Sequence, residues 1–167
     1  MQIEAAAIDT LFPDPANVRK HSNRNLDSIK ASLLTFGQQK PIVVNEDGVV
    51  IAGNGTFFSA KELGWQHINI VRTSLKGAEA TAFAIADNRT SELAQWDESA
   101  LSEVLTALAI QDEDLAQATG FTGDELKELV DSTTGIGPPG EFKELGEDIE
   151  TEYCCPKCSY EWSGSPK

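Results

Sequence analysis

Apolar and polar positions alternate along this chain in blocks, some with the two-residue period of strands and others with the helical period of 3.6. The pattern predicts a short strand at residues 8–12, after which Pro13 and Pro15 force a turn. Residues 17–24 form a polar loop holding Arg19, Lys20, His21 and Arg24. From Asn25 onward Leu26, Ile29, Leu33 and Leu34 share one helical face, and Gly37 ends that helix. Residues 41–45 read as a strand, Glu46, Asp47 and Gly48 as a hairpin turn, and residues 49–52 as the returning strand. Gly53, Asn54 and Gly55 then turn the backbone, Thr56 caps a short helix to Leu63, and Gly64 stops it. A further strand lies over residues 67–71, whose β-branched side chains suit a buried sheet.

The second half reads as helical. An alanine-rich helix spans residues 76–92 and carries Asp87, Asn88, Arg89, Thr90, Ser91 and Glu92 at its end. Trp96 and Asp97 lead a helix with Leu101, Val104, Leu105 and Leu108 on its core face. Thr122 and Glu125 have capping-box spacing for a last helix through Leu126, Leu129 and Val130. Residues 132–140 read as a linker. The expected fold is α/β (α+β), a small mixed sheet with packed helices over residues 1–95. A helical extension over 96–131 and a linker with a cysteine-bearing tail over 132–167 complete it.

The strand–glycine turn–helix unit at residues 49–63 is the first candidate for chemistry. Its helix start leaves backbone N–H groups free, and their partial positive charge attracts phosphate or another anion. The same turn also occurs for purely structural reasons, so its neighbours matter. Asp87 beside Asn88 is an oxygen-ligand pair suited to Mg²⁺, and equally a helix cap or turn. Arg19 can offer a forked contact to phosphate, while His21 reads as a surface polar residue. Cys155 and Cys158 form a Cys-x-x-Cys pair next to Cys154, half of the four-ligand set that zinc takes. Two chains could share a zinc through Cys155 and Cys158; Cys154 could add a third thiolate to one foreign ligand; or the knuckle holds no metal. No histidine sits near a Ser or Cys motif, which argues against a hydrolytic triad.

Composition narrows the setting. With 40% hydrophobic residues and no apolar run near the roughly 20 that a membrane helix needs, a soluble protein is expected. The N-terminus shows no basic stretch ahead of an apolar core, and the three cysteines form one cluster, so a cytosolic setting is expected. Net charge is −14, unevenly placed. Residues 1–76 hold 8 Lys+Arg against 7 Asp+Glu, and residues 77–167 hold 5 against 20. Contacts to DNA or nucleotide phosphates are therefore expected in the first half. The acidic half suits solubility or a basic partner.

The order of these motifs resembles the N-terminal domain of the ParB and sulfiredoxin superfamily. The likeness rests on Pro15, Ala16, Asn17, Val18 and Arg19, on Lys40 to Val44, on Val50 through Thr56, on Leu63, Gly64 and Trp65, and on Ala86, Asp87, Asn88 and Arg89. It covers roughly residues 5–95. It is nearest to phage and prophage versions that stand alone or precede a DNA methyltransferase domain. Gly120-Phe121, Pro138 through Phe142 and the Cys155 to Cys158 knuckle look like segments of those proteins. The resemblance implies a compact α/β fold that binds a nucleotide, CTP in the chromosome-partitioning members. Carried over, Gly53, Asn54, Gly55 and Thr56 hold phosphate, Asp87 and Asn88 hold Mg²⁺, and Arg19 matches the arginine of the first motif.

The departures are specific. Partitioning members have Gly-Glu-Arg-Arg where this chain has Gly53, Asn54, Gly55 and Thr56, which removes two charge-assisted contacts of about 1.5–3 kcal/mol each. Asp87 stands where a Glu is usual, the loop cysteine of sulfiredoxin is absent, and no helix-turn-helix of recognisable length follows residue 95. The resulting expectation is an accessory or regulatory factor in DNA metabolism or modification that binds CTP or ATP, with Mg²⁺-dependent hydrolysis as the activity to look for. Its partners would be nucleotide, DNA through the N-terminal half, a DNA methyltransferase or another protein, or a second copy of itself. The rival expectations are a ParB-like nuclease and an acidic interaction protein that imitates DNA charge around a vestigial pocket.

Overall fold

In the computed structural model the residues described are 2–134, 153–159 and 161–162. They fall into two compact units divided between Thr134 and Gly135.

The first unit is built on a five-stranded mixed sheet of order β1-β5-β3-β4-β2. Its strands are β1 (Ile3–Ala7), β2 (Phe12–Pro13), β3 (Ile42–Asn45), β4 (Val49–Ala52) and β5 (His67–Thr73). The β3–β4 hairpin is antiparallel, β3 runs parallel to β5, and β1 closes one edge antiparallel to β5. The hairpin forms as its turn residues dictate, because Asn45 Oδ1 accepts from the N–H groups of Asp47 and Val49 at 2.9 Å each. The expected strand at 8–12 is different. Residues 8–10 make a 3₁₀ turn, and the long edge strand lies upstream in the alanine-rich Ile3–Ala7. Pairing with β5 from Ile3↔Val71 to Ala7↔His67 overrides the helical preference of those alanines.

Two helices pack together against the sheet. Helix α1 (Asn23–Phe36) starts two residues earlier than expected, because Ser22 Oγ accepts from the Asn25 N–H at 3.2 Å. Helix α2 (Asn54–Glu62) starts at Asn54 with Gly53 as its N-cap, so Thr56 lies inside the helix and does not cap it. Its end follows expectation: Gly64 N–H donates to Lys61 O and Trp65 N–H to Ala60 O, a Schellman closure. Phe57 and Ala60 from α2 and Leu33 from α1 meet Ile42, Val44, Val50, Ile68 and Ile70 in one core. Leu34, expected on that face, is 70% exposed, since one 3.6-residue stripe has room for Leu33 and not its neighbour.

Helix α3 (Gly77–Leu93) lies against β4, with Ala80 its buried residue. Helices α4 (Glu98–Gln111), α5 (Glu113–Ala118) and α6 (Gly123–Thr134) follow. Helix α4 packs on α5 and α6, and α5 also touches α1. Leu105 is buried, whereas Val104, expected beside it, is 64% exposed. Helix α5 was not foreseen; Asp112 caps it by accepting from the Leu115 N–H at 3.1 Å. Four residues containing left-handed Gly120 join α5 to α6, so a helix–turn–helix connection does follow residue 95. Helix α6 continues to Thr134, past the expected linker start at residue 132, and residues 135–140 of that linker lie outside the described residues. No helix among the described residues is long and apolar enough to cross a membrane.

The second unit contains a two-stranded hairpin, β6 (Tyr153–Cys154) against β7 (Glu161–Trp162).

Candidate functional site

Chain direction sets the position of the central loop. Strand β4 ends at Ala52, Gly53 takes a left-handed conformation (φ 91°, ψ 26°), and α2 begins at once. A Cβ at Gly53 would lie 2.6 Å from Ile42 Cγ2, so glycine is required here by both conformation and space. Gly53 supplies no capping side chain, and the first intrahelical bond is Phe57 N–H to Gly53 O at 3.0 Å. The N–H groups of residues 54–56 thus precede the helical ladder, at its positive end.

These N–H groups border a polar cleft of about 240 Å³. Its wall gathers Asn17, Arg19, His21, Asn25 and Ile29, then residues 51–56, then Asp87 and Asn88. Fold contacts therefore bring together all the expected phosphate and magnesium positions, from Arg19 to Asn88, 69 residues apart in numbering.

Individual side chains add detail. Gly55 is not bare to leave room for a ligand: a Cβ there would meet Ile29 Cδ1 at 2.8 Å and His21 Cε1 at 2.9 Å. His21, expected as a surface residue, is half-buried in the wall, with Nδ1 2.7 Å from Asn25 Oδ1. Asn54 is buried; its Nδ2 donates to Val50 O at 3.0 Å, and its Oδ1 finds no partner among the described residues. Such an orphaned acceptor costs about 1–3 kcal/mol. Arg19 reaches the cleft but pairs with Glu92 in the adjoining groove, Nη1 to Oε1 at 2.5 Å. This guanidinium holds the Glu92 carboxyl below its ordinary range. Asn88 Nδ2 donates to Ala84 O at 2.8 Å, which leaves Oδ1 as its available acceptor. The Asp87 carboxylate makes no hydrogen bond or ion pair among the described residues.

The cleft continues past Arg19 and Asn88 into an open groove of about 450 Å³ along Val18, Lys20, Ile85 and Arg89. Asn25 and Ile29, expected only as parts of the first helix, also line the cleft. They carry no motif, though Asn25 stands four residues after His21.

Elsewhere, α6 opens with the expected capping box. Thr122 Oγ1 accepts from the Glu125 N–H at 3.2 Å, and Glu125 Oε2 accepts from the Thr122 N–H at 2.9 Å. Arg24 Nη2 lies 2.5 Å from both Glu125 carboxylate oxygens, joining α1 to α6. Arg24 and the Thr122 N–H together lower the Glu125 carboxyl from 4.5 to about 2. Of the cysteines, Cys155 accepts hydrogen bonds from the N–H groups of Lys157 and Cys158 and from the Cys158 thiol, which lower its pKa. No group of three or more His, Cys, Asp or Glu that could hold a metal ion occurs among the described residues.

No family model matches this chain. The ParB-like nuclease domain-containing protein YnaK of Escherichia coli (strain K12) is 27% identical over 71 residues, 42% of this chain and 82% of that protein. Among solved structures, the C-terminally truncated chromosome-partitioning protein ParB from Caulobacter crescentus, complexed with CTP-gamma-S, superposes with a TM-score of 0.69. At 17% identity it covers 80% of this chain and 79% of its own, so the shared fold extends past residue 95 into the helical extension. Sulfiredoxin from Arabidopsis thaliana reaches a TM-score of 0.42 at 20% identity, covering 51% of this chain and 98% of its own. The chain is thus similar in sequence over 71 residues to a ParB-like nuclease domain-containing protein and shares the fold of the chromosome-partitioning protein ParB.

Proposed function

We propose that the cleft binds a nucleoside triphosphate together with Mg²⁺, and that the protein is an accessory or regulatory factor in DNA metabolism or modification. The observation that carries this reading is the meeting, in one cleft, of the uncapped start of α2 with Asp87 and Asn88 of α3. Phosphate oxygens would accept from the N–H groups of residues 54–56. The donor set at α3 fits magnesium: one unpaired carboxylate and one carboxamide oxygen, with waters and phosphate oxygens to complete six ligands. Arg19 would exchange Glu92 for phosphate, and Asn54 Oδ1 would accept from a ligand N–H or O–H. CTP is the first candidate, because the ParB structure of the same fold holds CTP-gamma-S, and ATP is the next. Bound metal would supply charge neutralisation for phosphoryl transfer to water.

The helix–turn–helix connection does not favour DNA as a ligand of α6. That helix exposes Asp124, Glu128 and Asp131 beside a single Lys127, and such a face repels a phosphate backbone. DNA contact would belong to the basic 17–24 loop, and the acidic face to a basic protein partner.

Calorimetric titration with CTP, ATP, GTP and UTP, with and without Mg²⁺, tests the reading. Magnesium-dependent heat with one nucleotide, weakened at least tenfold in Asp87→Ala, supports it. The absence of heat with all four would overturn it. Release of phosphate then separates a binding protein from a hydrolase, and cleavage of duplex DNA lost in Asp87→Ala would favour a nuclease.

A further inference from the structure

The nucleotide reading leaves the cysteine hairpin unused. Its strands pair Tyr153 with Trp162 and Cys154 with Glu161. The Tyr153 and Trp162 rings stack with centroids 5.7 Å apart and planes 21° from parallel, holding the two ends of the hairpin together. Between them the chain turns through Cys155, Pro156, Lys157 and Cys158. Ser159 N–H donates to Cys155 O at 2.9 Å, and Ser159 itself is left-handed at φ 59°. This tight turn puts Cys155 and Cys158 at one end of the hairpin, and hydrogen bonding from the Lys157 and Cys158 N–H groups and the Cys158 thiol holds the Cys155 thiol below its ordinary range.

Two cysteines on one tight turn, with backbone N–H donors beside one of them, match what a thiolate metal site requires of its surroundings. Zinc held about 2.3 Å from each of four thiolates brings those sulfurs to about 3.8 Å from one another. Cys155 and Cys158 already share one tight turn. Cys154 stands outside the pair, its sulfur 3.9 Å from the Cys155 carbonyl oxygen. All three thiols are free. One hairpin thus supplies two ligands where structural zinc takes four. Two copies related by a two-fold axis supply four equivalent thiolates without any further residue.

We propose that Cys155 and Cys158 from two copies of this chain bind one zinc ion between them and join the chains into a symmetric dimer. The four thiols release four protons as the ion binds, so uptake weakens as pH falls. The copies carry a strong like charge, −14 each. Added salt therefore strengthens the metal-linked dimer by screening that repulsion.

The test uses the full chain, reduced and stripped of metal, titrated with Zn²⁺ and, as a spectroscopic probe, with Co²⁺. We expect one metal per two chains, the visible absorption of a tetrahedral cobalt–thiolate site, and a doubling of mass in sedimentation. Cys155→Ser and Cys158→Ser each abolish all three, whereas Cys154→Ser keeps them. The helical circular dichroism of each variant, unchanged, shows that the first unit is still folded. Failure to take up metal, one metal per monomeric chain, or loss of the site in Cys154→Ser would each overturn the proposal. These readouts do not involve nucleotide, so they stand or fall apart from the cleft.

Discussion

Helices α2 and α6 both follow a turn, yet their first turns differ in what satisfies them. Helix α2 begins from Gly53, which has no side chain to accept from the leading N–H groups. Helix α6 begins from Thr122, whose hydroxyl accepts from the Glu125 N–H while the Glu125 carboxylate reaches back to the Thr122 N–H. The second start brings its own anion, and Arg24 completes it. The first leaves its positive end facing a polar cleft. A capped start contributes stability, whereas an uncapped start forgoes some of it and leaves its N–H groups free for another acceptor.

Substitutions can break this contrast from the α2 side first. Gly53→Ala places a Cβ 2.6 Å from Ile42 Cγ2 in a left-handed residue. We expect a loss of about 3 kcal/mol, combining the cost of the conformation with that of overpacking, measured by urea unfolding. Gly55→Ala meets the ends of Ile29 and His21, which can shift. Its expected cost is about 1–2 kcal/mol, with a narrowed cleft and weaker nucleotide binding by calorimetry. A Gly55→Ala protein of unchanged stability would show that His21 moves freely.

Helix α6 should respond more weakly. Thr122→Ala removes one half of the capping box and should cost about 1 kcal/mol in urea unfolding, with nucleotide binding unaltered. Acidification sharpens the comparison further. Glu125 titrates at about 2 when folded and 4.5 when exposed, so its contribution is complete above pH 4.5 and disappears as pH falls toward 2. The difference in melting temperature between the unsubstituted protein and Glu125→Gln should shrink across that interval. A difference that stays constant from pH 5 to pH 2 would remove Glu125 from the account.

Much of this architecture was legible in local pattern. Strands β3 and β4, the Asn45-centred turn between them, the Gly64 stop and the Thr122–Glu125 box all came from residues within a few positions of each other. The same holds for Asp87 beside Asn88 on one helix. Local hydrogen bonds and short hydrophobic periods determine such features, so one stretch of sequence contains them whole. Tertiary structure decided the rest. Ile3–Ala7 became a strand through its ladder with β5, and Leu33 was buried while Leu34 was left in solvent. Arg19 met Glu92 across seventy-three positions, and the space beside Gly55 went to His21 and Ile29. Each of these depends on which distant surfaces pack together, and periodicity shows that a face is apolar without specifying the partner that covers it.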